Sequence, residues 1–296
     1  MPALRIPAFA KVNLSLHVLG KRPDGYHELR TVFQAISLHD TLTISWLRRP
    51  QILIETDDPV LPTGRENLVW SAVHALRREL RIGSGVRVEL SKRIPVARGL
   101  GGGSSDAAAA LMGLLRLSGK KLPTARLIEI AASLGADVPF FLFGGRALGV
   151  GRGDELYPLP DVPTRAVVVV SPRDIAVSTR EAYRWMSRQL TKRSATRKLW
   201  SFCALCWSSQ EAALSNDFEA AVFRRHPRLA GLKRGLLERG AAEAALAGSG
   251  SAVFGVFRSP AQARRAATGF PKEQVFVCET LTREEYRHAQ RGRNCV

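Results

Sequence analysis

At 296 residues, with 45% hydrophobic and 24% charged side chains, the chain has the make-up of an ordinary globular protein of about two domains, which excludes a fibrous or disordered polymer. A formal charge of +18 suits anionic partners: nucleic acid, acidic lipid or small phosphorylated molecules. The four cysteines, Cys203, Cys206, Cys278 and Cys295, lack the second ligand pair that a zinc site needs and read as reduced thiols.

In chain order, residues 11–18 (KVNLSLHV) alternate strictly. Val12, Leu14, Leu16 and Val18 are predicted on an apolar face, and Lys11, Asn13, Ser15 and His17 on a polar one. Pro23-Asp24-Gly25 is a turn signal, and an extended segment follows from Tyr26 through Ser37. Further strands are expected at Thr41 to Ser45, Gln51 to Thr56 and Gly85 to Leu90, with a helix from Asn67 to Leu80 between the last two. A glycine cluster, RGLGGGSSDA, then precedes a helix expected to start near Ser105. Thr124 to Leu134 is a second helix, with Gly135 as its C-terminal cap. The sequence Ala136-Asp137-Val138-Pro139 leads into the apolar run FFLFGG.

Pro158 to Pro163 (PLPDVP) is the natural domain boundary. Beyond it, Arg165 to Val170 reads as a buried strand, and Ser178 to Glu181 as a capping box. Helices are expected at 180–190, 210–224, 228–239 and 260–268, a strand–turn–strand over Ala244 to Phe257, and a last strand near 274–280. That uncharged stretch is shorter than the ~20 residues of a spanning helix, and no signal-type segment opens the chain, so a cytoplasmic protein without a membrane partner is expected. The basic segment 184–200 carries no acid and reads as a solvated surface without a nucleic-acid motif.

A glycine-rich turn between strand and helix presents free backbone N–H groups and the positive end of a helix dipole, which together make an anion site. The loop is not a Walker A motif, since Gly103 is followed by Ser104-Ser105 without Lys. It is not a dinucleotide fingerprint either, since Ser104 stands at the sixth place. A flexible loop with a serine N-cap is the plainer alternative.

Three stretches carry a family resemblance. AKVNLSLHVLGKRPDGYHEL, PVARGLGGGSSDAA and LAGSGSAVFGVF resemble the three motifs of the GHMP kinases, which phosphorylate small molecules with ATP. The DGYHEL block and LGADVPFFL narrow the resemblance to the branch that acts on cytidine diphosphate methylerythritol, and it covers residues 5–258. It implies an α+β fold: residues 1–160 as a ribosomal-protein-S5-like N-terminal domain and residues 161–296 as a ferredoxin-like C-terminal domain. It implies transfer of the ATP γ-phosphoryl group to a substrate hydroxyl, giving a 2-phosphate in the non-mevalonate route to isopentenyl diphosphate. By the same match Asp137 takes the hydroxyl proton and Lys11 orients that hydroxyl. Pro95, Val96, Ala97, Arg98, Gly99, Leu100, Gly101, Gly102, Gly103, Ser104 and Ser105 hold ATP, while Asn13, Tyr26, His27 and Thr179 meet the substrate. Mg²⁺ accompanies the nucleotide, with no protein ligand assigned beyond Ser105 as a candidate.

The implied partners are these two small molecules, with the chain a monomer or homodimer. Another kinase of the same family, or a basic nucleic-acid-binding protein, are the competing readings. Without the resemblance the residues have plainer roles. Lys11 could be an edge-strand charge, Asp137 a helix N-cap, and Tyr26 and His27 turn packing. Arg98 stands where the family usually has a small residue. It could meet ATP phosphates or face solvent.

Overall fold

Two sheets organise the chain, and the computed structural model describes residues 3–187, 202, 214–291 and 293–295. The first sheet is built on two long strands, β1 (Ala3–Lys21) and β2 (His27–Leu47), joined by the Pro23-Asp24-Gly25 turn. The two extended segments expected after Tyr26 are therefore one strand. Register shifts between Phe9 and Ala10, Asn13 and Ser15, and Val18 and Gly20 bend the pair while keeping it hydrogen-bonded from Ala3 to Lys21. β3 (Ile52–Thr56) and β4 (Gly85–Ser91) extend the sheet beyond β2. β5 (Arg146–Gly151) pairs with the first half of β2, and β6 (Glu155–Pro158) with β5.

α1 (Leu68–Glu79), α2 (Gly102–Ser118) and α3 (Thr124–Leu134) share one core with this sheet. Residues 107–110 of α2 are all alanine and fully buried, so the helix lies close on the strands. Gly113 lets it closer still, because a Cβ there would meet Ile44 at 2.4 Å. α2 begins three residues earlier than expected. Gly101 adopts the left-handed conformation at the N-cap and the chain is helical from Gly102, so Ser104 and Ser105 lie within the first turn. Gly135 ends α3, but in extended backbone. A single turn, α4 (Phe140–Phe143), follows.

The second sheet contains β7 (Ala166–Ser171), β9 (Glu243–Leu246), β10 (Val253–Phe257) and β11 (Gln274–Glu279) in the antiparallel order β11-β7-β10-β9. α5 (Thr179–Ser187), α6 (Glu219–Arg225) and α7 (Pro227–Glu238) lie between β7 and β9. α8 (Pro260–Ala267) lies between β10 and β11. This is the ferredoxin-like arrangement, so the expected α+β class holds. β7 lacks alternation because both its faces are covered. Val168 and Val170 meet the helices, whereas Val167 and Val169 meet Ala10, Val12, Ile36 and Leu38 of the first sheet. Of the expected capping box at α5 the serine half is present: Ser178 Oγ accepts the Glu181 N–H and donates to Glu181 Oε2.

Other expectations need correction. The "polar face" of β1 is buried: Lys11, Asn13 and Ser15 are 4%, 1% and 3% exposed. The reason is what closes over that face: the glycine loop and the Gly/Ser turn lie on Lys11, where a Cβ at Gly101 or Gly248 would come within 3.1 or 3.3 Å of its side chain. In the sheet itself β1 pairs with β2, with the two-residue β8 (Ser215–Asn216) at Ser15 and Leu16, and with β12 (Arg293–Cys295) at Ala3 to Arg5. Of the helix expected over 210–224, residues 210–213 lie outside the described residues; residues 215–216 instead pair parallel with β1, and the described helix runs from Glu219. The chain ends in the first sheet again, where α9 (Arg283–Gln290) inserts Tyr286 into the first core. Cys203, Cys206 and residues 188–200 of the basic segment lie outside the described residues. Cys278 is a buried free thiol. Among the described residues no helix is long and apolar enough to cross a membrane.

Candidate active site

A cleft of about 560 Å³ opens where the glycine loop, β1, the turn after α3 and the Gly/Ser turn before β10 converge. Pro95 to Ser104, Lys11, Asn13, Tyr26, Asp137 and Thr179 all border it. Two sequence-predicted residues do not. Ser105 is fully buried beneath the loop, and His27 stands behind the wall.

The loop's backbone explains its glycines. Gly99 has φ +79°, and a Cβ there would lie 1.9 Å from the Ala247 carbonyl oxygen. The loop thus rests directly on the Gly/Ser turn, an approach no side chain permits. Gly101 has φ +74°, and its Cβ would strike the Phe141 ring at 2.7 Å. With no side-chain cap at Gly101, the first-turn N–H groups of α2 are left for the cleft. Together with the helix dipole they form a ready anion site.

Lys11 reaches the cleft floor from β1. Its Nζ lies 3.6 Å from Asp137 Oδ2 and donates to Asn13 Oδ1 at 2.8 Å. Asn13 Nδ2 donates to Thr31 Oγ1 at 2.7 Å, and Thr31 donates to the Ser15 carbonyl at 2.7 Å. Each side chain in this relay is oriented by the next, so the lysine has little rotamer freedom. The edge-strand reading of Lys11 fails, since the side chain is buried. Asp137 sits in the turn between α3 and α4, which removes its plainer role as the N-cap of a helix: Pro139 occupies that place.

At the far end of the cleft, Tyr26 is 54% exposed, with the Arg152 guanidinium 4.9 Å from its ring centroid. His27 stacks on Tyr183 at 4.3 Å, and Tyr183 meets Phe218 edge-on at 4.8 Å. Burial, with Lys21 nearby, lowers the His27 pKa and keeps its imidazole neutral. Tyr183 and Phe218 border the cleft. Burial, reinforced by the Asp137 charge, raises the Tyr183 phenol. Thr179 Oγ1 lies 3.1 Å from Ser249 Oγ and so joins α5 to the Gly/Ser turn.

Sequence reasoning missed a buried charge cluster under the loop. Lys92 Nζ donates to Asp106 Oδ2 at 2.9 Å and to Asp40. Asp40 Oδ1 also accepts the backbone N–H groups of Arg93 and Ile94, at 2.6 and 2.8 Å. Burial opposes the Lys92 charge, but Asp106 and Asp40 outweigh it and raise its pKa. With two carboxylates to one ammonium, burial pushes Asp106 up to about 8 against the partial relief from Lys92. Asp106 Oδ1 and Ser105 Oγ are buried without a hydrogen-bond partner. The signal available was weak: an Asp inside a glycine-to-helix junction, with its partners far off in sequence. Arg98 borders the cleft. Its guanidinium turns away and donates to the carbonyls of Ile175 and Arg173.

Comparison with known proteins agrees with this geometry. The GHMP kinases N terminal domain matches residues 67–145, and the GHMP kinases C terminal domain matches residues 199–275. A 4-diphosphocytidyl-2-C-methyl-D-erythritol kinase from Solibacter usitatus is 48% identical over 285 residues, covering 95% of this chain and 89% of the relative. The kinase of that name from Moorella thermoacetica is 44% identical, covering 95% of this chain and all (100%) of the relative. A crystal structure of a 4-(cytidine 5'-diphospho)-2C-methyl-D-erythritol kinase superposes with a TM-score of 0.77 at 33% identity, over 94% of this chain and 99% of that one. A homoserine kinase from Cytophaga hutchinsonii shares the fold at a TM-score of 0.77 but only 20% identity, over 95% of each chain. The chain belongs to the GHMP kinase family, among its 4-diphosphocytidyl-2-C-methyl-D-erythritol kinase relatives, and is a small-molecule kinase.

Proposed function

We propose that this kinase transfers the γ-phosphoryl group of ATP to a hydroxyl of 4-diphosphocytidyl-2-C-methyl-D-erythritol, giving the 2-phosphate in the non-mevalonate route to isopentenyl diphosphate. The observation that carries the reading is the Lys11–Asp137 pair, 3.6 Å apart, in the same cleft as an uncapped helix N-terminus. The triphosphate lies along the loop amides of Gly101 to Ser104. The substrate hydroxyl lies between Asp137 and Lys11. Its oxygen attacks the γ-phosphorus as its proton passes to the Asp137 carboxylate, and the bond to ADP breaks. Lys11 stabilises the charge that develops on the attacking oxygen, and positioning supplies most of the rest. Asn13 and Thr31 hold Lys11 in that geometry. The exposed ring of Tyr26 stacks on the cytosine, with Tyr183 forming the opposite wall and His27 backing Tyr183 from behind.

The loop also fits a nucleotide-bound Mg²⁺. Asp106, which borders the cleft, would offer Oδ1, a hard oxygen donor without a partner, too little to hold the ion without phosphate oxygens, whereas Ser105 Oγ is shut beneath the loop. An ion held there would neutralise charge on the phosphates.

The test is ATP consumption by the purified chain, with and without this alcohol, for wild type and Asp137→Ala. Substrate-dependent turnover is expected. In the variant it should fall by about 10²–10⁴-fold, the usual contribution of a positioned base, with ATP binding retained. Turnover with homoserine or mevalonate instead would move the assignment to another branch of the family. A variant of near wild-type rate would remove Asp137 as the base.

A further inference from the structure

We infer that Arg98 is a positioning residue that fastens the phosphate loop to the segment after β7, holding the loop in its nucleotide-binding shape before ATP arrives; the inference rests on the proposed use of that loop for ATP. The Arg98 fork donates through both terminal nitrogens to one short segment, to the Ile175 carbonyl and, at 3.1 Å, to the Arg173 carbonyl. Ser251, fully buried in the Gly/Ser turn, donates to the same Ile175 oxygen. The Arg98 carbonyl in turn accepts the Ala252 N–H at 3.2 Å. One carbonyl, that of Ile175, therefore ties together the two loops that border the phosphate end of the cleft. The segment itself is anchored. Asp174 is held by Arg228 through two contacts of 2.8 Å, and Arg228 also bonds Glu273.

The tie matters because of where it falls. Downstream of Gly101 the loop is fixed by α2. Upstream it is held at Ile94, through Asp40, and at Leu100, whose carbonyl accepts the Lys11 N–H at 3.0 Å, but residues 95–98 span the gap between, and Val96 there is 42% exposed. Arg98 is the side chain next to Gly99, whose backbone must rest on Ala247 without room for a Cβ. An arginine can do this and a small residue cannot, because only a planar fork places two donors on two carbonyls of one segment. If the loop populates its binding shape only part of the time, apparent affinity for nucleotide falls by that same fraction. The tie raises the fraction and leaves the chemical step alone.

Arg98→Ala, Arg98→Lys and Ser251→Ala test this. Binding of a non-hydrolysable ATP analogue is measured by calorimetry without the alcohol, and steady-state kinetics are measured with both substrates. For Arg98→Ala we expect analogue affinity to fall and the KM for ATP to rise, each about 5–20-fold, with kcat and the alcohol KM within about 3-fold. Arg98→Lys should recover part of the loss, since an ammonium reaches one carbonyl of the two. Ser251→Ala should shift the ATP values in the same direction by less. Unchanged analogue affinity with a lowered Tm would make Arg98 a stabilising pin and overturn the inference. So would a kcat loss of about 100-fold at constant KM, which would put the guanidinium on the transferred phosphate instead. A wild-type chain that binds no analogue would overturn the ATP reading itself, and this inference with it.

Discussion

Replacing Lys92 by Met leaves two buried carboxylates without their shared cation. The side chains of Lys92, Asp40 and Asp106 are 6%, 0% and 4% exposed, so solvent does not compensate. Asp106 Oδ2 loses the Lys92 ammonium. Asp40 keeps the two backbone N–H groups on Oδ1 and loses its contact on Oδ2. Breaking a buried pair from one side costs about 3–5 kcal/mol, which lowers Tm by roughly 6–20 °C in a chain of this size. The pH dependence adds a second reading. Asp106 is raised from its usual 3.8 to about 8, so across that window the folded chain keeps a proton the unfolded chain has released. Stability therefore falls as pH rises from about 4 to 8, and removing Lys92 takes away the charge that partly offsets the burial of the Asp106 carboxylate. The deficit of the variant should be larger at pH 8 than at pH 5.5, and adding Asp40→Asn should recover part of it. Thermal and urea denaturation at both pH values measure this. A loss below about 1 kcal/mol, or one independent of pH, would refute the buried-cluster account.

The loop and the acceptor end each make a further prediction. Gly99→Ala forces a Cβ against the Ala247 oxygen at a positive φ. The left-handed conformation alone costs about 1–2 kcal/mol, so ATP-analogue affinity measured by calorimetry should fall by at least about tenfold. Tyr26→Ala should raise the KM for the cytidine substrate by about 1–3 kcal/mol, the worth of one base stack, and leave the KM for ATP unchanged. An equal rise in both constants would remove Tyr26 from the cytosine end.

Local chemistry was legible in the sequence where the signal lay within a few neighbouring residues. The Pro23-Asp24-Gly25 turn, the glycine loop before α2 and the Ser178–Glu181 cap are all written in adjacent positions. Lys11 and Asp137 were found through the resemblance, and their 3.6 Å approach required the fold. What alternation could not show was that Lys11 and Asn13 face a cleft and that Ser15 is buried: polarity predicts solvent unless other elements close over it. The Asp40–Lys92–Asp106 cluster joins positions 52 and 14 residues apart, and no local pattern marks such a meeting. Tyr183 was passed over because it occupies an ordinary helical position. Its stacking on His27 exists only once α5 packs against the end of β2.

The return of α9 to the first sheet gives two parts of the cleft one common support. Tyr286 is fully buried, donates to the Phe141 carbonyl at 2.7 Å and lies flat against Gly144, where a Cβ would come within 2.2 Å of the ring. Phe141 is also the ring against Gly101, and it follows Asp137 by four residues. Without Tyr286 a tyrosine-sized hole would open behind both the Asp137 turn and the glycine loop. The two segments therefore share a single support, brought in from 145 positions further along the chain, and loosening it would disturb both at once.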